Sequence, residues 1–470
     1  MYFKWQSFLV FGLSRSGKAA AKYLLAQGAI VYVCDEIESE RITQTIAELE
    51  KLGAKKILKE KLPLAQSFCD ALVLSPGIPI DHAIAVAFKR GGKGVISECE
   101  IAARCLHNPM IAVTGTNGKT TTVSMLTEIL KTAGLNAVAC GNIGMPILET
   151  VDNEQGKIAV AEISSFQLET LSSHCPHVAV VLNVTEDHLN RHYTMENYIF
   201  LKKKLLKNLT ETEFAVLNYD DLTVRAFAEK TRAKVLYFSL KERVCGGYLE
   251  KGDLYFGKEK IMSADEVSIG GAHNLQNALA AIVAAKIIGV QSADIAAALS
   301  TFKGVNHRIQ TVDTVNGITF IDDSKGTNVD ATLKAVAAMN SETVLLLGGK
   351  DKGYNYDALF DELKKSCVTH AILYGENRYA LLQSARAVRF ENISVCACFS
   401  MAARFAAMVA KKGQTVLLSP ASASFDEFAN YEERGDKFVE IVRQIAQEAK
   451  DGKEGATDEN TALDEAGQDN

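Results

Sequence analysis

Residues 110–126 read MIAVTGTNGKTTTVSML. Met110 to Val113 is a short apolar run of strand character, Gly115 and Gly118 punctuate a turn, and Lys119, Thr120 and Thr121 lead into a run of helical spacing. Strand, glycine turn and helix in that order make a cradle for phosphate. The glycines let backbone N–H groups approach phosphate oxygens, the Lys119 ammonium can reach the outer phosphates, and the Thr120 hydroxyl can ligate Mg²⁺. The common form of the loop, G-x-x-x-x-G-K-[ST], has glycine where Val113 stands; here the loop is T-G-T-N-G-K-T-T. A plain glycine turn that happens to hold Lys-Thr is the competing reading.

The rest of the chain bounds what that loop belongs to. A length of 470 residues suggests about three domains, and 47% apolar content is ample for several buried cores. The net charge is −6 and no long basic block occurs, so nothing points to nucleic acid. The ten cysteines include no C-x-x-C pair, and only Cys396-x-Cys398 is close, which fits reduced thiols rather than disulfides or a zinc site. No apolar run has the length of a membrane span, and the apolar start SFLVFGLSRSG runs into a glycine turn as a first strand would. A cytoplasmic monomer without membrane insertion is expected.

Before the phosphate loop, Phe8 to Phe11, the turn Gly12 to Gly17, a helix over Lys18 to Gln27 and a strand over Ala29 to Cys34 ending at Asp35 form a βαβ opening. The dinucleotide fingerprint lacks glycine at Ser14, so it is weak for NAD, while another nucleotide diphosphate could use the same helix start. Ala71 to Leu74 then leads into Ser75-Pro76-Gly77, either a structural turn or a binding loop at the carboxyl edge of a parallel sheet.

After the loop, Ile158 to Ala161 stops at Glu162, and Val178 to Val184 runs into Glu186, Asp187 and His188. Glu162 is the candidate to hold Mg²⁺; magnesium prefers oxygen, so on its residue type alone His188 reads more often as a structural hydrogen-bonding group. Residues 196–208, ENYIFLKKKLLKN, suggest an amphipathic helix and leave Lys202, Lys203 and Lys204 undistinguished. Asn274 and Asn277 fall on one face of an Ala-rich helix reaching about Gly289, suited to an adenine edge or, for Asn274, to helix capping. Three later strands, Ile318 to Ile321, Thr343 to Leu347 and Thr415 to Leu418, each end in a loop rich in charges or hydroxyls and suggest a binding rim. Residues 449–470 are polar and acidic and read as a disordered tail.

Taken together, GTNGKTT, EISSFQLE (Glu162 to Glu169), EDHLNRH (Glu186 to His192), GAHNLQNALAA, Asn306-His307-Arg308, DDSKGTN and LSPASASFDEFANYEERG (Leu418 to Gly435) resemble the Mur ligases. Members of that family join a carboxylate to an amine at the expense of ATP. The last stretch is similar to the D-glutamate-adding branch.

The resemblance implies an α/β fold of three domains: a Rossmann-like 1–97 for the UDP substrate, a P-loop ATPase-like 98–303, and a Rossmann-like 304–448 for the amino acid. It implies peptidoglycan precursor synthesis, with UDP-N-acetylmuramoyl-L-alanine and D-glutamate as substrates, and ATP, two Mg²⁺ ions and a CO₂-derived lysine carbamate in the site. Ser14, Arg15, Asp35, Ser75, Pro76 and Gly77 would bind the UDP part and Asn142 the muramoyl part. Gly115, Thr116, Asn117, Gly118, Lys119, Thr120 and Thr121 would hold the ATP phosphates, with Asn274, Asn277, His307, Arg308 and Asp323 around the adenosine. Thr120 and Glu162 would bind one Mg²⁺, and Glu162, His188 and the carbamate the other. The family's Y-x-x-A-K segment matches Tyr198 to Lys202, with Leu201 in place of Ala, which makes Lys202 the carbamate candidate. Lys325 and Thr327 would lie near the reacting groups, and Lys352, Thr327, Ser424, Phe425 and Tyr431 would receive D-glutamate. Another ligase of the superfamily, an NAD-dependent oxidoreductase and a non-catalytic nucleotide-binding module are the rivals.

Overall fold

Short apolar strands alternating with helices build three sheets in the computed structural model, which describes the backbone of residues 3–106, 108–151, 156–173, 176–351, 353 and 355–466. Two compact units result, Met1–Lys303 and Gly304–Asn470.

The first unit carries two sheets. One is wholly parallel, in the spatial order Lys55–Lys56, Ile30–Cys34, Ser7–Phe11, Ala71–Leu74, Gly94–Ile96. Strand order reverses between Ser7–Phe11 and Ala71–Leu74, so the loops after those two strands flank a topological switch point, where α/β sheets bind ligands. Glycine is required here. Gly12 has φ +89°, and a Cβ on Gly17 would lie 1.8 Å from the Gly12 carbonyl oxygen, so the helix Arg15–Ala26 could not pack this close with any larger residue.

The second sheet runs Ala137–Gly141, Ile158–Glu162, Met110–Thr114, Val178–Val181, Phe214–Asn218, Lys234–Ser239 and Gly246–Glu250, all parallel, and ends in the antiparallel strands Asp253–Phe256 and Glu259–Ser263. Every residue of Met110–Thr114, Ile158–Glu162 and Val178–Val181 is buried, as expected of central parallel strands. The register sets Val113 opposite Glu162 on one side and Val180 on the other. All three strands therefore release their chains at one level. A single buried cluster runs from Phe8, Val10 and Val31 of the first sheet through Cys99 and Ile101 to Ala112, Ala161 and Val181 of the second.

The second unit has a sheet ordered Gln310–Val315, Ile318–Asp322, Thr415–Leu418, Thr343–Gly348, Val368–Tyr374, Ile393–Val395, parallel except for its first strand. Apolar clusters cover it on both faces. Among the described residues no helix is long and apolar enough to cross a membrane.

Two expectations are corrected. The strand expected over Val178 to Val184 stops at Val181, because Asn183 and Thr185 turn aside to bond the phosphate loop. The helix expected over 196–208 is Met195–Lys203 followed by a tight turn at Lys204–Leu206. The final helix spans Tyr431–Ala466 and is anchored by Phe438, Ile441 and Val442. Residues 467–470 lie outside the described residues.

Candidate active site

The loop between Met110–Thr114 and the helix Lys119–Thr132 is closed by hydrogen bonds from its neighbours. The Thr116 amide donates to the Asn183 carbonyl (3.0 Å), the Asn117 amide to Asn183 Oδ1 (2.8 Å), and Asn183 Nδ2 back to the Asn117 carbonyl (3.0 Å). Thr116 Oγ1 donates to the Thr185 carbonyl (3.0 Å) and accepts from the Thr185 amide (3.0 Å). Gly118 has φ +88°, and a Cβ there would lie 2.3 Å from Asn277 Oδ1. Gly118 is thus fixed both by backbone conformation and by the helix Ala272–Ile288 packed over it. Lys119 folds back along the loop, donating from Nζ to the carbonyls of Gly115 (2.9 Å) and Thr116 (2.7 Å), which holds its charge over the cradle. Thr121 Oγ1 is buried without a hydrogen-bond partner.

Thr120 Oγ1 donates to Glu162 Oε2 at 2.7 Å, and Asn142 Nδ2 donates to Glu162 Oε1 at 2.8 Å. The loop hydroxyl and the strand-end carboxylate expected to share Mg²⁺ are therefore already together, and Asn142 stands on the far side of the same carboxylate. Oxygen donors of this kind suit a hard divalent cation. Among the described residues no three His, Cys, Asp or Glu side chains gather into a metal site.

Of the three lysines, Lys202 is the buried one. Its residue is 1% exposed, whereas Lys203 and Lys204 are only half-buried. Its Nζ sits 4.5 Å from the centre of the Tyr198 ring. Burial holds its pKa well below the ordinary lysine value, the Lys119 charge pushes the same way, and Asp187 and Glu162 oppose it. His188, at φ +55°, packs its ring 4.7 Å from that of Phe166 and lies 3.5 Å from Asp187 Oδ2.

In the first sheet, Ser14 precedes the helix Arg15–Ala26 with its Oγ 3.3 Å from Ser75 Oγ. Asp35 accepts from the Leu13 amide (2.5 Å) and the Ile37 amide (2.9 Å), so it shapes the loops flanking the switch point. Arg15 Nη1 donates to the Gly144 carbonyl at 3.3 Å. Asn274, expected near adenine or as a cap, is not the N-cap, which is Gly271; its Nδ2 donates to the Gly270 carbonyl, and Asn277 accepts from Thr122 Oγ1 (3.3 Å).

In the second unit, the loops after two strands, Ile318–Asp322 and Thr415–Leu418, are joined around one buried cation. Arg434, fully buried, donates from Nε to Ser324 Oγ (2.9 Å), from Nη2 to the Ser324 carbonyl (2.8 Å) and from Nη1 to the Ser422 carbonyl (3.1 Å). Lys325 Nζ donates to the Tyr431 hydroxyl at 2.9 Å, and Thr327 follows on the same loop. His307 Nδ1 lies 2.7 Å from Asp322 Oδ2, a bond that raises its pKa. Burial lifts the Asp323 carboxyl to about 7, against a hydrogen bond from Ser419 Oγ and the nearby Arg308 charge. Ser424 is buried and Phe425 is exposed. Lys352 lies outside the described residues.

Residues 113–285 match the model of the Mur ligase middle domain, and 307–422 that of the Mur ligase glutamate ligase domain. The chain is 38% identical over 451 residues to the UDP-N-acetylmuramoylalanine–D-glutamate ligase of Clostridioides difficile, covering 95% of this chain and 100% of that one. It is 40% identical over 443 residues to the ligase of that name from Pelotomaculum thermopropionicum, covering 93% and 97%. The chain belongs to the UDP-N-acetylmuramoylalanine–D-glutamate ligase family. A solved UDP-N-acetylmuramate–alanine ligase from Thermotoga maritima shares the fold at 17% identity, with a TM-score of 0.60 over 93% of this chain and 99% of that one.

Sequence reasoning about this D-glutamate ligase relative missed the residues that hold its site loops. Arg434 lies inside the Leu418 to Gly435 motif, but nothing in a string of residues marks an arginine as fully buried. Arg434→Leu is expected to lower unfolding free energy by about 2–4 kcal/mol, because it removes the buried donors that serve the Ser324 and Ser422 carbonyls. Urea unfolding of the variant checks this; a change below about 0.5 kcal/mol would show the contacts to be idle.

Proposed function

We propose that this chain joins D-glutamate to UDP-N-acetylmuramoyl-L-alanine in the cytoplasm, with ATP activating the muramoyl-alanine carboxylate as an acyl phosphate. The reading is carried by the meeting of Thr120 and Glu162 at 2.7 Å beside a phosphate loop whose lysine is already held over it. The choice of substrates rests on the names of the relatives.

In this reading the loop amides of Gly115 to Thr121 and the Lys119 ammonium hold the terminal phosphates and neutralise the charge that builds up as the carboxylate attacks. The unpartnered Thr121 hydroxyl supports it, since a phosphate oxygen would offset a buried donor that otherwise costs about 1–3 kcal/mol. Mg²⁺, held by Thr120 and Glu162 at one position and by Glu162, His188 and a carbamate on Lys202 at a second, would supply Lewis-acid polarisation of the phosphates. Ser14, Arg15, Asp35 and the Ser75 to Gly77 turn are assigned to the UDP part and Asn142 to the muramoyl part. In the second unit His307, Arg308 and Asp323 are assigned to the nucleotide, Lys325 to the acyl phosphate, and Thr327, Lys352, Ser424, Phe425 and Tyr431 to D-glutamate. The amine of D-glutamate then displaces phosphate, giving the amide, ADP and phosphate. No enzyme nucleophile takes part.

Phosphate release from ATP and Mg²⁺ with UDP-N-acetylmuramoyl-L-alanine is expected to require D-glutamate and to be negligible with L-glutamate, L-alanine, L-lysine or diaminopimelate. Release with another of these amino acids would move the chain to a different branch of the family.

A further inference from the structure

We propose that Arg191 is a positioning residue that sets the Pro76 to Ile78 turn against the segment carrying His188, and so tunes binding of the UDP substrate; this deepens the functional reading above and rests on it. The Arg191 side chain is 11% exposed and its partner Glu169 6%. Nε and Nη2 donate to the two oxygens of Glu169 at 3.0 and 2.6 Å. The same guanidinium reaches three successive carbonyls of the other sheet's turn: Pro76 (3.3 Å) and Ile78 (2.8 Å) from Nη2, and Gly77 (3.3 Å) from Nη1.

Three peptide carbonyls gathered on one cation fix the orientation of the turn, while nothing lies within 4 Å of where a Cβ on Gly77 would stand. The guanidinium also lies 4.8 Å from the centre of the Phe166 ring, the ring that packs on His188. Glu169 lies in the last turn of the helix Ser165–Thr170 that follows Glu162, and Arg191 lies in the turn of helix that follows His188. One side chain thus joins the UDP turn to both proposed metal-binding segments. Two residues on, the Tyr193 hydroxyl donates to the Asp81 carboxylate, a second tie between the same two stretches of chain.

Only a planar fork of five donors can serve a carboxylate and three carbonyls together; an ammonium cannot. In the full-length protein, Arg191→Met is expected to raise KM for UDP-N-acetylmuramoyl-L-alanine about 10- to 100-fold, and Arg191→Lys and Glu169→Gln about 3- to 10-fold. KM for D-glutamate and the Kd of a non-hydrolysable ATP analogue should move less than about 2-fold. A scaffold role alone would lower the melting temperature and the active fraction while leaving all three constants unchanged, and that pattern in the folded Arg191→Lys and Glu169→Gln proteins would overturn the proposal. Amide hydrogen exchange decides it independently of the substrate. Exchange over residues 74–80 is expected to quicken in these variants while that of 115–125 stays the same, and unchanged exchange at 74–80 would overturn it. Were the unaltered protein inactive with the UDP substrate, the functional reading would fail and the exchange result would still judge the tether.

Discussion

Lys119→Ala is expected to lower the rate of phosphate release by about 10²- to 10⁴-fold, some 3–5 kcal/mol of transition-state stabilisation. The ammonium is held by the carbonyls of Gly115 and Thr116, so its charge is in place before any phosphate arrives and no reorganisation is needed at the moment of reaction. In phosphoryl transfer negative charge spreads over the transferred group, and a fixed cation stabilises that state more than the ground state. The loss should therefore fall mainly on kcat, with KM for ATP changing by less than about 10-fold. Lys119→Arg tests whether charge alone suffices: a guanidinium is planar and larger where the ammonium is a compact point charge, and activity is expected to stay within about 10-fold of the alanine variant. Steady-state phosphate release by both proteins is the measurement. Near-full activity of Lys119→Ala would remove the loop from the chemistry.

How much of this could be read from residues alone depends on whether the information is local. The order strand, glycine turn, helix is a property of consecutive residues, so the phosphate loop and the strand Ala71–Leu74 were legible with their bounds. The expectation that Glu162 serves the loop came from a strand-end carboxylate downstream. The 2.7 Å hydrogen bond from Thr120 to Glu162 follows from parallel pairing, which sets Val113 opposite Glu162. Lys202 is a different case. Composition puts three lysines in a row, and only the packing of the helix Met195–Lys203 decides which one is buried. Arg191 and Arg434 were invisible for the same reason: each acts by reaching carbonyls more than 100 positions away along the chain or across a tight fold, and backbone acceptors carry no sequence signature. The Val178 strand was overextended because Leu182 and Val184 are apolar, yet the backbone there is recruited to the phosphate loop and to Asp221.

Lys202→Ala is expected to reduce activity by at least about 10²-fold, and added bicarbonate should not restore it. The argument begins from the state of the amine. A solvent-exposed lysine near pH 7.4 is neutral only about one part in a thousand of the time. CO₂ adds only to the neutral amine, forming an N–C bond and releasing one proton to leave an anionic carbamate. Burial shifts Lys202 toward that neutral form, and Lys119 does so too by repelling a second cation. Once formed, the carbamate reverses the sign of the interaction: the Lys119 charge that disfavoured the ammonium now stabilises the anion. Lys119→Ala should therefore diminish the carbamate signal observed by ¹³C NMR with labelled bicarbonate, and the two alanine substitutions should combine non-additively. Alanine at 202 leaves a space that a short-chain carboxylic acid can enter, supplying the missing anionic oxygens. Rescue by such an acid, saturating with its concentration and absent in Lys203→Ala, is the expected result. Full activity of Lys202→Ala without additive would sink the assignment, because no carbamate could then form at that position.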